Sequence, residues 1–148
     1  MFSVQILQGL PGSGKSTYAR TVADKHLIFS ADNFFMVEGV YTFDSRKIQA
    51  AHDACLRGFA ETFNKCFGEE KIVIVDNTNT TVLEVAPYYR LAQAYGAKVD
   101  ILFFDVPFAV CMSRQTKGVP EEAMSRMAAS LAYFDRENAF NWTRTVIK

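Results

Sequence analysis

Apolar positions along the chain alternate between short continuous runs and helix-spaced stripes. Phe2 to Gln8 reads as a short buried strand running into a Gly-rich turn. Ser16 to Lys25 predicts a helix with Ala19, Val22 and Ala23 inward, and Leu27 to Ser30 a second short strand. Phe34 to Phe43 reads as a loop rich in Phe, Gly and Tyr. A long helix is expected from about Asp44, where Ile48, His52, Cys55, Leu56, Phe59 and Phe63 recur at helical spacing. That stripe puts His52 in the core. Lys71 to Val75 is a β-branched run suited to a strand covered on both faces. Thr81-Val-Leu-Glu84 is a capping box that opens a helix, and Gly96 stands where the helix should stop. Val99 to Phe104 predicts another strand, Pro120-Glu-Glu122 another helix start, and Thr145 to Lys148 a last strand. Strands alternating with helices imply an α/β fold: a central parallel sheet of about five strands, flanked by helices. Ligands of such sheets bind beyond the carboxyl ends of the strands.

Composition narrows the possible functions. A chain of 148 residues fits one domain, expected here over 1–148. Hydrophobic residues make up 49% and charged residues 22%, which argues for a packed core. Sixteen basic residues balance sixteen acidic ones, so any nucleic-acid contact must be a local, shaped site. No run approaches the ~18 apolar residues of a membrane span, and the N-terminus does not read as a signal peptide. Cys55, Cys66 and Cys111 are odd in number and lack CxxC spacing. They are expected as buried thiols in a reducing cytoplasm.

The chemistry starts at Gly9-Leu-Pro-Gly-Ser-Gly14-Lys15-Ser16, which fits the phosphate-loop pattern G-x-x-x-x-G-K-[ST] between a strand and a helix. Glycines let backbone N–H groups converge on phosphate oxygens, and the helix N-terminus adds positive charge. Gly9, Pro11, Gly12, Ser13, Gly14, Lys15, Ser16 and Thr17 are therefore expected around ATP. Lys15 should reach the β- and γ-phosphates, and the Ser16 hydroxyl should ligate Mg²⁺. A second metal element should be an acid ending a buried strand. Asp76, after Ile72-Val-Ile-Val75, fits, although an Asp there also serves as a turn cap. Asn77, Thr78 and Asn79 follow it at the expected ligand edge, where they either position the ligand or serve only the turn.

A kinase also needs a base for the acceptor hydroxyl and cations over the transferring phosphoryl. Asp32 follows the strand at 27–30 and is the candidate base, with a helix N-cap as its alternative role. Arg114, Lys117 and Arg126 surround the polar break Arg114-Gln-Thr-Lys-Gly-Val-Pro120, a candidate lid over about 113–127. Residues 107–148 carry six basic and four acidic residues, against seven and nine over 41–106. The lid end is thus modestly positive.

Several of these segments, taken together, resemble a known family. They are Ile28-Phe-Ser-Ala-Asp-Asn-Phe-Phe35, Gly39-Val-Tyr-Thr-Phe43, Ala51-His52, Val75-Asp-Asn-Thr-Asn-Thr80, Ala86-Pro-Tyr88 and Ala92-Gln-Ala-Tyr-Gly96. In order and spacing, over about residues 4 to 131, the chain resembles the P-loop 5′-hydroxyl polynucleotide kinases. It is similar above all to stand-alone modules grouped as P-loop or AAA-type ATPases. The resemblance implies a P-loop kinase fold with a small lid, ATP and Mg²⁺ as cofactors, and a polynucleotide 5′-hydroxyl end as substrate. It implies Asp32 as general base, Arg114 as a lid arginine, and Lys117 or Arg126 as the second lid cation. It also gives His52 a site-facing alternative. Two departures stand out. The family's phage enzyme grips an acceptor phosphate with an Arg three residues past the base, where this chain has Phe35. Gapless alignment also sets Asn77, not Asp76, against the family's strand-end Asp. The aromatics Phe34, Phe35, Tyr41 and Phe43, in the loop after Asp32, either offer surfaces for base stacking or pack the loop on the domain.

The expected reaction is transfer of the ATP γ-phosphoryl to a 5′-hydroxyl of RNA or DNA. Two rivals remain: a kinase of nucleosides or metabolites, and an ATP-binding regulator whose nucleotide state controls a protein partner.

Overall fold

The computed structural model describes residues 2–65, 69–137 and 141–148. Cys66 lies outside them. Five strands form one sheet in the order β2-β5-β1-β6-β7, every neighbouring pair parallel. They are β1 (Ser3–Gln8), β2 (Ile28–Phe29), β5 (Ile72–Asp76), β6 (Lys98–Phe104) and β7 (Arg144–Ile147). The α/β architecture and the strand number expected from the sequence are both found.

Side chains of β1 alternate between two cores, the period-two signature of a strand. Val4 and Ile6 join Val73, Val75, Val99 and Ile101 on one face. Helices α2 (Ile48–Lys65) and α3 (Val82–Ala94) cover that face with Phe59, Phe63, Tyr88 and Tyr89. Burying rings of this size stabilises the fold by about 1.5–3 kcal/mol each. Leu7, Ile74, Leu102 and Phe104 point the other way, against Ala19 of α1 (Lys15–Val22). A third cluster of Leu10, Cys111, Met124 and Leu131 ties the phosphate loop to α4 (Phe108–Arg114) and α5 (Glu121–Glu137).

The α3 start follows its capping box. The Thr81 hydroxyl accepts from the Glu84 N–H, while the Glu84 carboxylate reaches back one residue further, to the N–H and hydroxyl of Thr80. Gly96, with φ 76°, closes the helix as expected.

Five expectations need correction. The first helix stops at Val22, and Leu27 sits in a 3-10 turn (Lys25–Leu27), so β2 is only two residues long. The long helix starts at Ile48 after a 3-10 turn, not at Asp44. Its buried face is Ala51, Cys55, Phe59, Thr62 and Phe63, which leaves Ile48 and His52 exposed. A stripe shifted by one position turns His52 out of the core. Finally, the loop at 34–43 contains a hairpin of β3 (Met36–Val37) and β4 (Val40–Tyr41). Its turn has positive φ at both Glu38 (50°) and Gly39 (80°). That geometry suits a two-residue hairpin, but Glu-Gly is not its usual sequence signal.

Candidate functional site

Parallel pairing brings the carboxyl ends of β1, β2, β5 and β6 to one edge of the sheet. The phosphate loop, Asp32 and Asp76 all leave strands there. Gly9 donates its N–H to the Thr78 carbonyl at 3.1 Å, which joins the loop to the segment after β5. Gly12 has φ 87°, and a Cβ on it would stand 2.5 Å from the Cys111 carbonyl oxygen of α4. Only glycine lets the loop lie so close under that helix. Gly14, at φ 95°, makes the sharp turn into α1 with open space around it.

Lys15 is buried and turned back on its own loop. Its ammonium donates to the carbonyls of Gly9 (3.0 Å) and Leu10 (2.8 Å) and to the Ser13 hydroxyl (3.4 Å). Burial lowers its pKa to about 8; the Asp76 carboxylate pulls the other way, and Lys117 adds to the lowering. A buried ammonium with all three donors turned to loop oxygens is poised to exchange them for phosphate oxygens.

Ser16 donates its hydroxyl to Asp76 Oδ2 at 2.7 Å. Asp76 is buried yet caps no helix, since Thr81 does that for α3. Hydroxyl and carboxylate thus form one hard-oxygen pair at the mouth of the loop, a donor set that suits Mg²⁺. Among the described residues no three His, Cys, Asp or Glu gather as a metal cage. Mg²⁺ often takes one or two carboxylates and completes its shell with phosphate and water.

The two asparagines after Asp76 are both occupied. Asn79, at φ 49°, donates to the Leu7 carbonyl at 2.7 Å and accepts from Gln8 Nε2 through its own carbonyl at 2.8 Å. Asn77 accepts from the Ala31 N–H at 2.8 Å and donates to Cys55 Sγ at 3.6 Å. It therefore braces the backbone one residue before Asp32 against α2. Burial raises the Cys55 thiol and the Tyr88 phenol above their ordinary values, so both stay neutral there. Cys111 is likewise raised by burial, despite Lys15 and Arg114 nearby.

Asp32 lies in a 3-10 turn over Ala31–Phe35, capped by Ser30, whose hydroxyl accepts from the Asp32 N–H. The capping role considered for Asp32 thus belongs to Ser30, and the Asp32 carboxylate is left for other partners. Oδ2 is ion-paired with Lys117, and Oδ1 accepts from the Tyr41 hydroxyl at 3.4 Å. Burial and the adjacent carboxylate raise the Tyr41 pKa, so the phenol stays a donor.

Lys117 stands on the loop between α4 and α5, and Gln115 fixes that loop. Its side-chain amide donates to the Val119 carbonyl (2.8 Å) and accepts from the Val119 N–H (3.0 Å). Arg114 is exposed at the end of α4 with no hydrogen bond or ion pair among the described residues. Arg126 is paired with Glu122 on the exposed face of α5, and no described contact joins it to Asp32 or Lys15.

Of the expected site residues, the structure thus joins Ser16 to Asp76 and Asp32 to Lys117. Gln115 was not foreseen as part of this site; Tyr41 was expected as a stacking surface and Asn77 as a positioning residue, but not their bonds to Asp32 and to the Ala31 N–H. Tyr41 lies in a strand of only two residues, and the Gln115 ring of hydrogen bonds has no sequence pattern that announces it.

Residues 4–139 match a protein-family profile described as an AAA domain. The chain belongs to that AAA domain family. This AAA domain is 38% identical over 130 residues to human NEDD4-binding protein 2. The match takes in 82% of the chain but only 7% of that relative's length. Among solved structures, a sugar kinase from Janibacter sp. HTCC2649 is similar at a TM-score of 0.61 and 16% identity, over 99% of this chain and 85% of that one. A deoxyadenosine kinase from M. mycoides, with dATP bound, is similar at 0.56 and 13% identity, over 99% and 90%. A gluconokinase from Sinorhizobium meliloti 1021 follows at 0.53 and 13%, over 98% and 81%. These likenesses give the fold: the AAA domain has a P-loop kinase-like architecture. No helix among the described residues is long and apolar enough to cross a membrane.

Proposed function

We propose that this domain is an ATP-dependent kinase that phosphorylates the 5′-hydroxyl of a polynucleotide. The observation that carries the reading is the Asp32 carboxylate. It stands uncapped at the phosphate-loop edge and touches Lys117 of the loop between α4 and α5. An ATP-binding regulator has no need of a base paired with a lid cation there.

The reading assigns each group a role. The loop N–H groups and Lys15 hold the phosphates of ATP. Ser16 and Asp76 would hold Mg²⁺, which would neutralise phosphate charge. Asp32 orients the acceptor hydroxyl and takes its proton as the oxygen attacks the γ-phosphorus and the bond to the bridging oxygen breaks, releasing ADP. Lys117 moves from Asp32 to the transferring phosphoryl, with Arg114 beside it. Arg126 joins them only if its pairing with Glu122 is given up. Residues 113–127 make up the lid, within one domain.

The polynucleotide as acceptor rests on the resemblance of segments 28–35, 39–43 and 75–80 to the 5′-hydroxyl polynucleotide kinases. A small-molecule acceptor is the second reading, favoured by Phe35 in place of a phosphate-gripping Arg. A competition assay separates them. Labelled ATP is offered with 5′-hydroxyl RNA and DNA oligonucleotides and a panel of nucleosides and sugars. Label on the oligonucleotide ends supports the first reading. Label on a nucleoside or sugar alone supports the second.

A further inference from the structure

Segment 34–43, Phe-Phe-Met-Val-Glu-Gly-Val-Tyr-Thr-Phe, contains no Lys or Arg. Phe35, at the position of the missing Arg, is 5% exposed and forms the hub of an aromatic cluster. Its ring lies 5.5 Å from Phe34, 6.2 Å from Tyr41 and 5.1 Å from Phe43, centroid to centroid. Around this hub, Phe34 is 42% exposed and Phe43 54%. Tyr41 and Phe43 are stacked, 18° from parallel. The cluster is tied to the base. Tyr41 donates to Asp32 while its ring lies 5.4 Å beneath the Lys117 ammonium.

We infer that this aromatic surface holds the acceptor by stacking on its 5′-terminal nucleobase, in place of gripping a phosphate. The inference rests on the polynucleotide reading above. Three arguments favour a nucleobase as occupant. The surface begins at the carboxylate that would hold the 5′-hydroxyl, so the base of that same nucleotide lies within reach. The exposed rings offer flat π faces, which suit a flat heterocycle. A protein partner seated on the patch would crowd Asp32 itself. Stacking on such rings is tolerant of base identity. It also lacks the steep salt dependence of phosphate contacts.

The test compares 5′-hydroxyl oligonucleotides whose first residue either carries its base or is abasic, with the intact protein and with Phe34→Ala and Phe43→Ala. Both rings are exposed, and thermal melting checks that the variants fold. The abasic acceptor is expected to raise KM by about 5- to 150-fold, the range of one stacked base, with kcat nearly unchanged. Either replacement should raise KM for the base-bearing acceptor and shrink the difference between the two. Between 50 and 200 mM salt, KM should rise by about threefold or less, as one phosphate contact gives; three contacts would give about twentyfold. Equal KM for both acceptors with the intact protein, or a difference that survives both replacements, overturns the stacking surface and leaves the kinase reading standing. No label on any oligonucleotide overturns both.

Discussion

Lys117 and Asp32, 85 residues apart, form an ion pair across the mouth of the site. Both side chains are partly exposed, so the pair contributes only about 0–1 kcal/mol to stability. A contact this weak is readily exchanged for a bound phosphate. Lys117→Ala is therefore expected to leave the melting temperature nearly unchanged and to lower kcat by about 10²-fold or more, on the scale of a lost phosphoryl-stabilising cation. Steady-state kinetics beside a thermal melt reads both. An unchanged kcat would remove Lys117 from the transfer step.

Gly12 carries the closest backbone approach in the phosphate loop. Alanine there meets the Cys111 carbonyl oxygen at 2.5 Å and must also hold φ 87°. The backbone strain alone costs about 1–3 kcal/mol. Gly12→Ala should lower stability by at least that amount in urea unfolding and abolish ATP binding. Gly14→Ala has the same φ problem but open space around it, so its stability loss should be smaller.

Lys15 predicts the pH behaviour. Its pKa is lowered from 10.5 to about 8, chiefly by burial. Between those values the unfolded chain binds more protons than the folded one, so this group makes stability rise with pH over that window. Nucleotide affinity should run the other way. Phosphate favours the charged ammonium, so ATP binding takes up a proton once pH exceeds about 8, and the Kd should rise by up to about tenfold per pH unit. Isothermal titration in buffers of different ionisation enthalpy detects that proton. Lys15→Met should remove both the proton uptake and most of the affinity.

Much of this site was legible because its signals are local. The phosphate loop is a fixed spacing between a strand and a helix. Asp76 ends an apolar run. Asp32 follows a short strand whose parallel pairing carries it to the same edge. What could not be read depends on contacts between distant segments. Lys117 meets Asp32 across 85 positions of sequence, on a loop between α4 and α5 that the Gln115 side chain braces. Arg126 stands in the sequence as a substitute for Lys117, and its partner among the described residues is Glu122, one helical turn away. His52 missed the core because a helical stripe leaves its flanking positions ambiguous by one residue. The hairpin at 36–41 escaped notice because its strands are two residues long.

Asn77 is expected to position Asp32 rather than bind metal itself. It accepts from the Ala31 N–H at 2.8 Å. Asn77→Ala should lower kcat by roughly tenfold or more, the order of a small misplacement of a catalytic group, with ATP Kd little changed. Asn77→Asp keeps an acceptor for that N–H and should recover most of kcat. Loss of Mg²⁺ dependence in Asn77→Ala would instead point to a metal role.

The central claim is that Asp32 activates a polynucleotide 5′-hydroxyl. The most direct test incubates the protein and Asp32→Ala with Mg²⁺, γ-labelled ATP and 5′-hydroxyl RNA and DNA oligonucleotides, after both proteins are shown to bind ATP alike. Label on the 5′ ends that falls by about 10²–10⁴-fold in Asp32→Ala is the result expected of a lost general base. Equal labelling by both proteins, or none by either, would contradict it.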